Sequence, residues 1–264
     1  MTIKVLVNGA AGRMGQAMSA AILADPQLEL VAGVDLTEIG ADLGQLAKGQ
    51  ACGVLIEQDL AQAIRRAAPD VMLDFTDPSG VKTGVRTALS RGLACVVGTT
   101  GLNDADLEEL DALARANDTG LIVAPNFALS AALMARFAAE AVKYFPDYEL
   151  VESHHDRKMD APSGTALAMV RMMSENRTPH LQGRADSYEE VPGCRGGDYQ
   201  GARIHSIRLP GVVARHEITF GGPGQLLYIK QEATNRDAFW PGVRLALLRV
   251  GEVKGLIHGL DAIM

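Results

Sequence analysis

Along the first half of the chain, short apolar runs alternate with segments whose apolar residues recur every three or four positions. The run "IKVLVNG" (3–9) lacks strict alternation, as expected of a strand buried on both faces of a parallel sheet. It passes into "GAAGRMGQAMSAAILAD" (9–25), where Met14, Ala17, Met18, Ala21 and Ile22 repeat at helical spacing until Asp25-Pro26 ends the pattern. "LELVAGVD" (28–35) reads as the next strand, which makes the opening a βαβ unit. The rhythm continues with a strand at 71–76, a helix at 80–92, and a strand entering a glycine turn at 93–101. A helix at 104–117 and a strand with a polar end at 120–127 follow. This alternation predicts a doubly wound α/β domain with a parallel sheet.

Past residue 127 the pattern changes. "ALSAALMARFAAEAVKYF" (128–145) reads as a long Ala-rich helix, and "YELVESHH" (148–155) alternates as a half-exposed strand does. Residues 192–236 hold several strand-like stretches, "ARIHSIRLP", "RHEITFGG" and "QLLYIKQEA" among them, separated by Gly and Pro turns. They predict an antiparallel or mixed sheet and therefore a second α/β domain. "FWPGVRLALLRVGEV" (239–253) is helical again and is expected to pack back on the first domain. The division expected is 1–127 with 237–264 for the first domain and 128–236 for the second.

Composition narrows the class. The 264 residues are 47% hydrophobic with few aromatics, so a core of one large or two modest domains must be built from Ala, Val, Leu and Met. A net charge of −7 gives no general attraction for nucleic acid or anionic lipid. The N-terminal "MTIKVLVNGAAG" lacks the basic and long apolar regions of a signal peptide. No apolar run approaches the roughly 18 to 20 residues of a membrane span. Cys52, Cys95 and Cys194 are odd in number, far apart and outside any C-x-x-C; they read as reduced thiols of a cytoplasmic protein.

Two stretches carry candidate chemistry. Gly9, Gly12 and Gly15 form G-x-x-G-x-x-G between a strand and a helix, where glycines permit a tight turn, approach of a pyrophosphate, and close helix packing. The pyrophosphate would rest on N–H groups at the helix N-terminus. Asp35 ends the second strand 20 residues after Gly15, where a carboxylate can accept from a ribose diol. A plain glycine turn with a surface Asp is the alternative. "GTTG" (98–101) and "APNF" (124–127) also fall at strand ends, where ligands of open parallel sheets bind. Gly98, Thr99 and Thr100 offer backbone and hydroxyl groups to a ribose or nicotinamide, although ordinary turn chemistry would look the same.

The other stretch is "ESHHDRKMDAPSGTA" (152–166). As a metal site it is awkward, since adjacent His154 and His155 on a strand point to opposite faces and no Cys or paired carboxylate stands at ligand spacing. As a solvated loop it would have no chemistry. As a catalytic site it uses its residues better: a histidine as acid, a lysine as fixed cation, and a helix start at "PSGT". Ser163 is placed to cap that helix, Gly164 and Thr165 present N–H groups at its start, and Ala166, Met169, Val170 and Met173 mark one face. Such a cluster suits a small substrate bearing carboxylates.

The order of "GAAGRMG", "DFTDP", "VGTTG", "APNF" and "ESHHDRKMDAPSGTA" resembles the 4-hydroxy-tetrahydrodipicolinate reductase (dihydrodipicolinate reductase) family over almost the whole chain. The resemblance implies a Rossmann-type domain that includes the C-terminal helix. It also implies a mixed-sheet α/β domain for substrate binding and assembly of a homotetramer. By position it implies His154 as proton donor with Lys158 as catalytic partner, and His155, Gly164 and Thr165 as substrate contacts. Cofactor positions fall on Gly9, Ala10, Ala11, Gly12, Arg13, Met14, Asp35, Gly98, Thr99, Thr100, Ala124, Pro125, Asn126 and Phe127, with no metal. The implied reaction is hydride transfer from NADH or NADPH to a cyclic dicarboxylate, with loss of water, on the route to diaminopimelate and lysine.

Two departures stand out. "ALS" (128–130) replaces a frequent Ser-x-Gly, and Leu36 follows Asp35 where some members carry an Arg that meets a 2′-phosphate. With no adjacent cation, Asp35 favours NADH, unless Arg13 compensates. A Rossmann dehydrogenase for another imine or amino acid explains the glycine loop but leaves 152–166 unexplained. A non-catalytic dinucleotide sensor would lack His154 or Lys158. None of the five tyrosines is followed four residues on by a lysine, which disfavours the short-chain dehydrogenases.

Overall fold

The computed structural model describes residues 2–178, 182–184 and 186–264. Two compact units are present, Met1–Phe127 with Phe239–Met264, and Ala128–Ala238. The first opens with β1 (Ile3–Asn8), α1 (Arg13–Ile22), β2 (Leu28–Val34), α2 (Leu43–Lys48) and β3 (Ile56–Glu57). It continues with α3 (Leu60–Ala67), β4 (Val71–Asp74), α4 (Val81–Leu89), β5 (Ala94–Val97), α5 (Asp104–Ala116) and β6 (Gly120–Val123). The second unit contains α6 (Leu129–Ala141), β7 (Asp147–His154), α7 (Gly164–Ser174), β8 (Gly197–Tyr199), β9 (Ala202–Arg208), β10 (Ala214–Gly222) and β11 (Gln225–Ala233). α8 (Trp240–Arg249) and β12 (Gly255–His258) belong to the first.

The sheet of the first unit runs β12-β6-β5-β4-β1-β2-β3, and every neighbouring pair is parallel. The order reverses direction at β1, which leaves a crevice beyond the carboxyl ends of β1 and β4. Side chains alternate between two buried faces, so beyond the exposed Lys4 and Glu29 at their entrances β1 and β2 read as apolar runs. Leu6, Met72, Cys95, Val97 and Leu121 face a core shared with Val81, Val85 and Leu89 of α4 and Leu110 of α5. The intervening Val5, Val7, Leu73, Val96 and Ile122 are equally buried. Among the described residues no helix is long and apolar enough to cross a membrane.

The second unit is a five-stranded mixed sheet, β11-β10-β7-β9-β8, in which β7 and β9 are parallel and the other pairs antiparallel. On β10 the buried residues are Ala214, His216, Ile218 and Phe220, one face of a period-two strand. They lie opposite His154, Glu152, Leu150 and Tyr148 of β7, so the same face carries both apolar core and titratable groups. Ala166, Met169, Val170 and Met173 of α7 are all buried, and α7 packs along α6.

Element edges differ from the pattern in ways that backbone geometry explains. The glycine turn expected between the first strand and helix is present: Gly9 has φ +82°, which is incompatible with helix, and α1 begins after Gly12. The helix expected at 128–145 ends at Ala141, and that expected at 239–253 is flanked by 3-10 turns at Arg236–Phe239 and Val250–Glu252. α2, β3, α3, β8 and β12 carry no clear signal in the pattern. Of these, β3 is two residues long and β8 three.

The contact between β1 and α1 depends on missing side chains. A Cβ on Gly9 would come within 2.5 Å of the Phe75 carbonyl oxygen, and one on Gly15 would run into the Gly9 carbonyl oxygen. Backbone cannot yield as a flexible side chain does, so Gly15→Ala is expected to destabilise the protein by about 2 kcal/mol. Urea unfolding of the two proteins at neutral pH checks this.

Candidate functional site

In the first unit, the candidate cofactor residues sit on loops that leave the carboxyl ends of β1, β2, β5 and β6, except Arg13 and Met14, which open α1. Gly9 and Ala10 are buried, and the Ala10 methyl is part of the core, so these two offer backbone only. Gly12 and Arg13 are exposed and Ala11 and Met14 half-buried. Asp35 reaches across from the end of β2: one carboxylate oxygen accepts from the Ala11 N–H at 2.9 Å, the other from the Thr37 N–H and hydroxyl at 3.0 Å. A groove of about 580 Å³ runs along this edge and is lined by Gly9, Gly12, Asp35, Leu36, Gln58 and Thr76, among others. Gly98–Thr100 and Ala124–Phe127 lie outside its lining, beyond β5 and β6.

A buried carboxylate ties this edge together. Asp74, at the end of β4, accepts from the Asn8 amide at 2.7 Å, the Thr99 hydroxyl at 2.7 Å and the Thr76 hydroxyl at 2.8 Å. Burial pushes its acid up, and those three hydrogen bonds oppose the shift. The Thr99 hydroxyl hydrogen is therefore committed to Asp74, while Thr100 is exposed. Phe127 is 2% exposed, its ring edge-on to Phe75 at 6.2 Å, and Ala124 is buried; Pro125 and Asn126 are the more open members of that turn. Gln58, Phe75 and Thr76 line the groove without having been singled out as site residues. For Phe75 and Thr76 the signal is "DFT" at the end of a predicted strand, where crevices form; Gln58 has none.

The candidate residues of the second unit gather around the end of β7 and the start of α7. His154 is buried and His155 exposed, as strand alternation requires. Glu152, two residues before His154 on the same face, is fully buried. Its carboxylate meets His154 Nδ1 at 2.5 Å, the two terminal nitrogens of Arg208 at 2.7 and 2.9 Å, and the Ser163 N–H at 3.2 Å. Burial pushes the Glu152 acid up, but the hydrogen bonds from His154, Arg208 and Ser206 outweigh it and hold the group well below the usual carboxylate range. An ionised carboxylate only accepts, so Nδ1 of His154 carries the hydrogen.

Beyond it the chain forms the loop that carries lysine. Lys158 Nζ donates to both oxygens of Asp160 at 2.7 and 2.8 Å, and Arg208 donates to the Asp160 carbonyl at 2.7 Å. Ser163 caps α7 by accepting from the Ala166 N–H at 3.2 Å. Gly164 and Thr165 are the first two residues of that helix, at the positive end of its dipole. Partial burial and the Arg157 charge draw the His155 imidazole below its ordinary value. Among the described residues no group of three or more His, Cys, Asp or Glu is placed to hold a metal.

His216 closes the cluster from β10. It lies opposite Glu152 in the strand register, its ring edge-on to that of His154 at 5.5 Å. One nitrogen meets the Ser163 hydroxyl at 3.2 Å and the other the Gln231 amide at 3.1 Å. The sequence pattern assigns Glu152 and His216 no role, and it offers Arg208 only as one of several second-domain cations, with Arg195, Arg203 and His205, among which pattern does not choose. The E-x-H spacing of Glu152 and His154 was the available signal, since residues two apart on a strand share a face.

A parallel sheet in this order, with a glycine cradle at its crevice and a carboxylate ending the second strand, defines a nicotinamide-nucleotide oxidoreductase. Residues 3–127 match the family described as dihydrodipicolinate reductase, N-terminus, and residues 130–264 its C-terminus; the chain belongs to the dihydrodipicolinate reductase family. It is 45% identical to a 4-hydroxy-tetrahydrodipicolinate reductase of Moorella thermoacetica, over 100% of this chain and 98% of the relative. The enzyme of the same name from Lysinibacillus sphaericus is 42% identical over the whole of both chains. A dipicolinate-bound dihydrodipicolinate reductase from Paenisporosarcina sp. TG-14 superposes with a TM-score of 0.87 at 41% identity, covering both chains fully.

Burial, with the nearby His154, draws His216 down to about 4 from an ordinary 6.5. The unfolded chain then binds the extra proton between those values, so this residue's contribution to stability is fully present above pH 6.5 and is lost as pH falls towards 4. His216→Gln is expected to remove on the order of 2 kcal/mol from the stability difference between pH 7 and pH 4.5. Urea unfolding at both pH values measures it.

Proposed function

We propose that the chain reduces 4-hydroxy-tetrahydrodipicolinate to tetrahydrodipicolinate with NADH or NADPH, releasing water, on the route to diaminopimelate and lysine. The observation that carries this reading is the convergence of His154 and the α7 N-terminus on one buried carboxylate, with Lys158 held on the adjoining loop by Asp160, in a chain of this family. The reaction consumes one hydride and one proton per water released. A reduced nicotinamide nucleotide supplies the hydride when bound. The glycine cradle fits such a group: its backbone approach is closed to any Cβ, and Asp35 is fixed to the loop for a ribose diol.

In this reading His154 supplies the proton. Its Nδ1–H is held by Glu152, which leaves Nε2 as the nitrogen that exchanges with substrate. Lys158 balances the negative charge of the dicarboxylate, whose carboxyl group takes the place of Asp160 on the ammonium. His155, Gly164 and Thr165 hold the other carboxylate, the last two through N–H groups at the positive end of α7. Gly9 to Met14, Asp35, Gly98 to Thr100, and Ala124 to Phe127 bind the nucleotide. The protein works in the cytoplasm as a homotetramer assembled through the second unit.

Folded protein should oxidise NADH or NADPH when pyruvate and aspartate semialdehyde are supplied through the preceding synthase, and no oxidation with either would sink the reading. Lys158→Ala should lower kcat by about 100- to 1,000-fold while leaving the nucleotide Kd nearly unchanged. Discrimination rests on Asp35, whose carboxylate repels a 2′-phosphate beside the uncharged Leu36 and Gln58. NADH is therefore expected to give the higher kcat/KM, and Asp35→Ala to narrow the gap by about tenfold, the cost of one unfavourable charge contact.

A further inference from the structure

We infer that Glu152 is the positioning residue of the active site, and that it selects which nitrogen of His154 exchanges the proton. The inference rests on the reading of His154 as acid and adds a residue that the reading does not require. Glu152 touches no open surface, yet its carboxylate receives every element on which the proposed substrate site stands. His154 arrives directly, through Nδ1. The start of α7 arrives through the Ser163 N–H. The lysine loop arrives indirectly, because the guanidinium that clamps both Glu152 oxygens also donates to the carbonyl of Asp160, whose side chain holds Lys158.

The donors outnumber what a neutral group can satisfy. His154 Nδ1, two Arg208 nitrogens and the Ser163 N–H all point at two oxygens. A glutamine presents one oxygen and one NH₂ in that space. Its oxygen would stay where Arg208 and Ser163 converge, which turns the NH₂ towards Nδ1. A donor facing Nδ1 requires that nitrogen to be bare, and the ring hydrogen then moves to Nε2. In that tautomer the imidazole cannot gain a second N–H at Nδ1 without opposing the amide, so it no longer cycles as an acid through Nε2. The carboxylate thus fixes ring orientation and tautomer together, as the buried aspartate does in a Ser-His-Asp triad.

The test is ¹⁵N NMR of the imidazole in full-length protein, with His154→Gln used to assign the resonance, alongside steady-state kinetics. In the wild type the resonances should report hydrogen on Nδ1; hydrogen on Nε2 in the neutral ring would overturn the proposal without any variant. Glu152→Gln should move the hydrogen to Nε2 and lower kcat by about 10- to 100-fold, with the nucleotide Kd unchanged. Glu152→Asp, which keeps the charge but withdraws it by one methylene, should retain the Nδ1–H form and recover part of kcat. If Glu152→Gln folds, keeps the Nδ1–H form and turns over normally, Glu152 positions nothing. The two readings fail separately: full turnover by His154→Gln removes the acid role, whereas lost turnover there with normal turnover in Glu152→Gln removes the positioning role alone.

Discussion

A carboxylate sealed away from water must have its lone pairs filled, and in the second unit that demand decides how the chain after β7 is laid out. Without partners, Glu152 would take up a proton or unfold its surroundings. With them, it pulls a guanidinium from β9, an imidazole from its own strand and a backbone N–H from the cap of α7 into one place. The loop between β7 and α7 carries exposed Met159 and a line of charged residues, with little apolar burial of its own. Its shape is set by polar contacts radiating from this one group. The loop reads in sequence as excess charge and in space as a scaffold.

The first unit solves a different problem by different means. Its ligand edge is made of backbone, and close approach is obtained by leaving side chains out at Gly9 and Gly15. Asp74 plays the part that Glu152 plays in the other unit, joining Asn8 of β1, Thr76 after β4 and Thr99 after β5. Both units therefore hold their loops from beneath with a buried acid, one under a glycine cradle and one beside a pair of histidines. Preorganisation of this kind spares a ligand the cost of ordering the loops when it binds.

What could be read from sequence follows from range. The parallel sheet was legible because β4, β5 and β6, and β1 and β2 past the exposed Lys4 and Glu29, are buried on both faces and so appear as apolar runs. α7 was legible because Ser163, Gly164 and the Ala166–Met173 stripe are local signals. β12 was not, since "GLIH" becomes a strand only where β6 supplies its partner. The segment holding α2, β3 and α3 was equally opaque: its helix caps, Asp42 and Asp59, are local, but β3 exists only by pairing with β2. The pairing of Arg208 with Glu152 spans 56 residues, and no spacing rule reaches that far. At Thr99 the turn hydroxyl that the sequence offers donates its hydrogen to Asp74, a bond that spans 25 residues.

The first unit is built from two stretches of chain, and this bears on the order in which the protein can take shape during synthesis. Residues 128–238 leave the ribosome as one continuous stretch and contain every strand of their own sheet. The preceding 127 residues emerge sooner but lack α8 and β12. Until residues 239–264 have been translated, β6 is an open edge and the Phe127 carbonyl lacks the close backbone of Gly242 against it. An unpaired parallel edge is a site for wrong partners. The half made first is thus the half finished last, and a nascent chain spends that interval with its nucleotide-binding sheet exposed along one side.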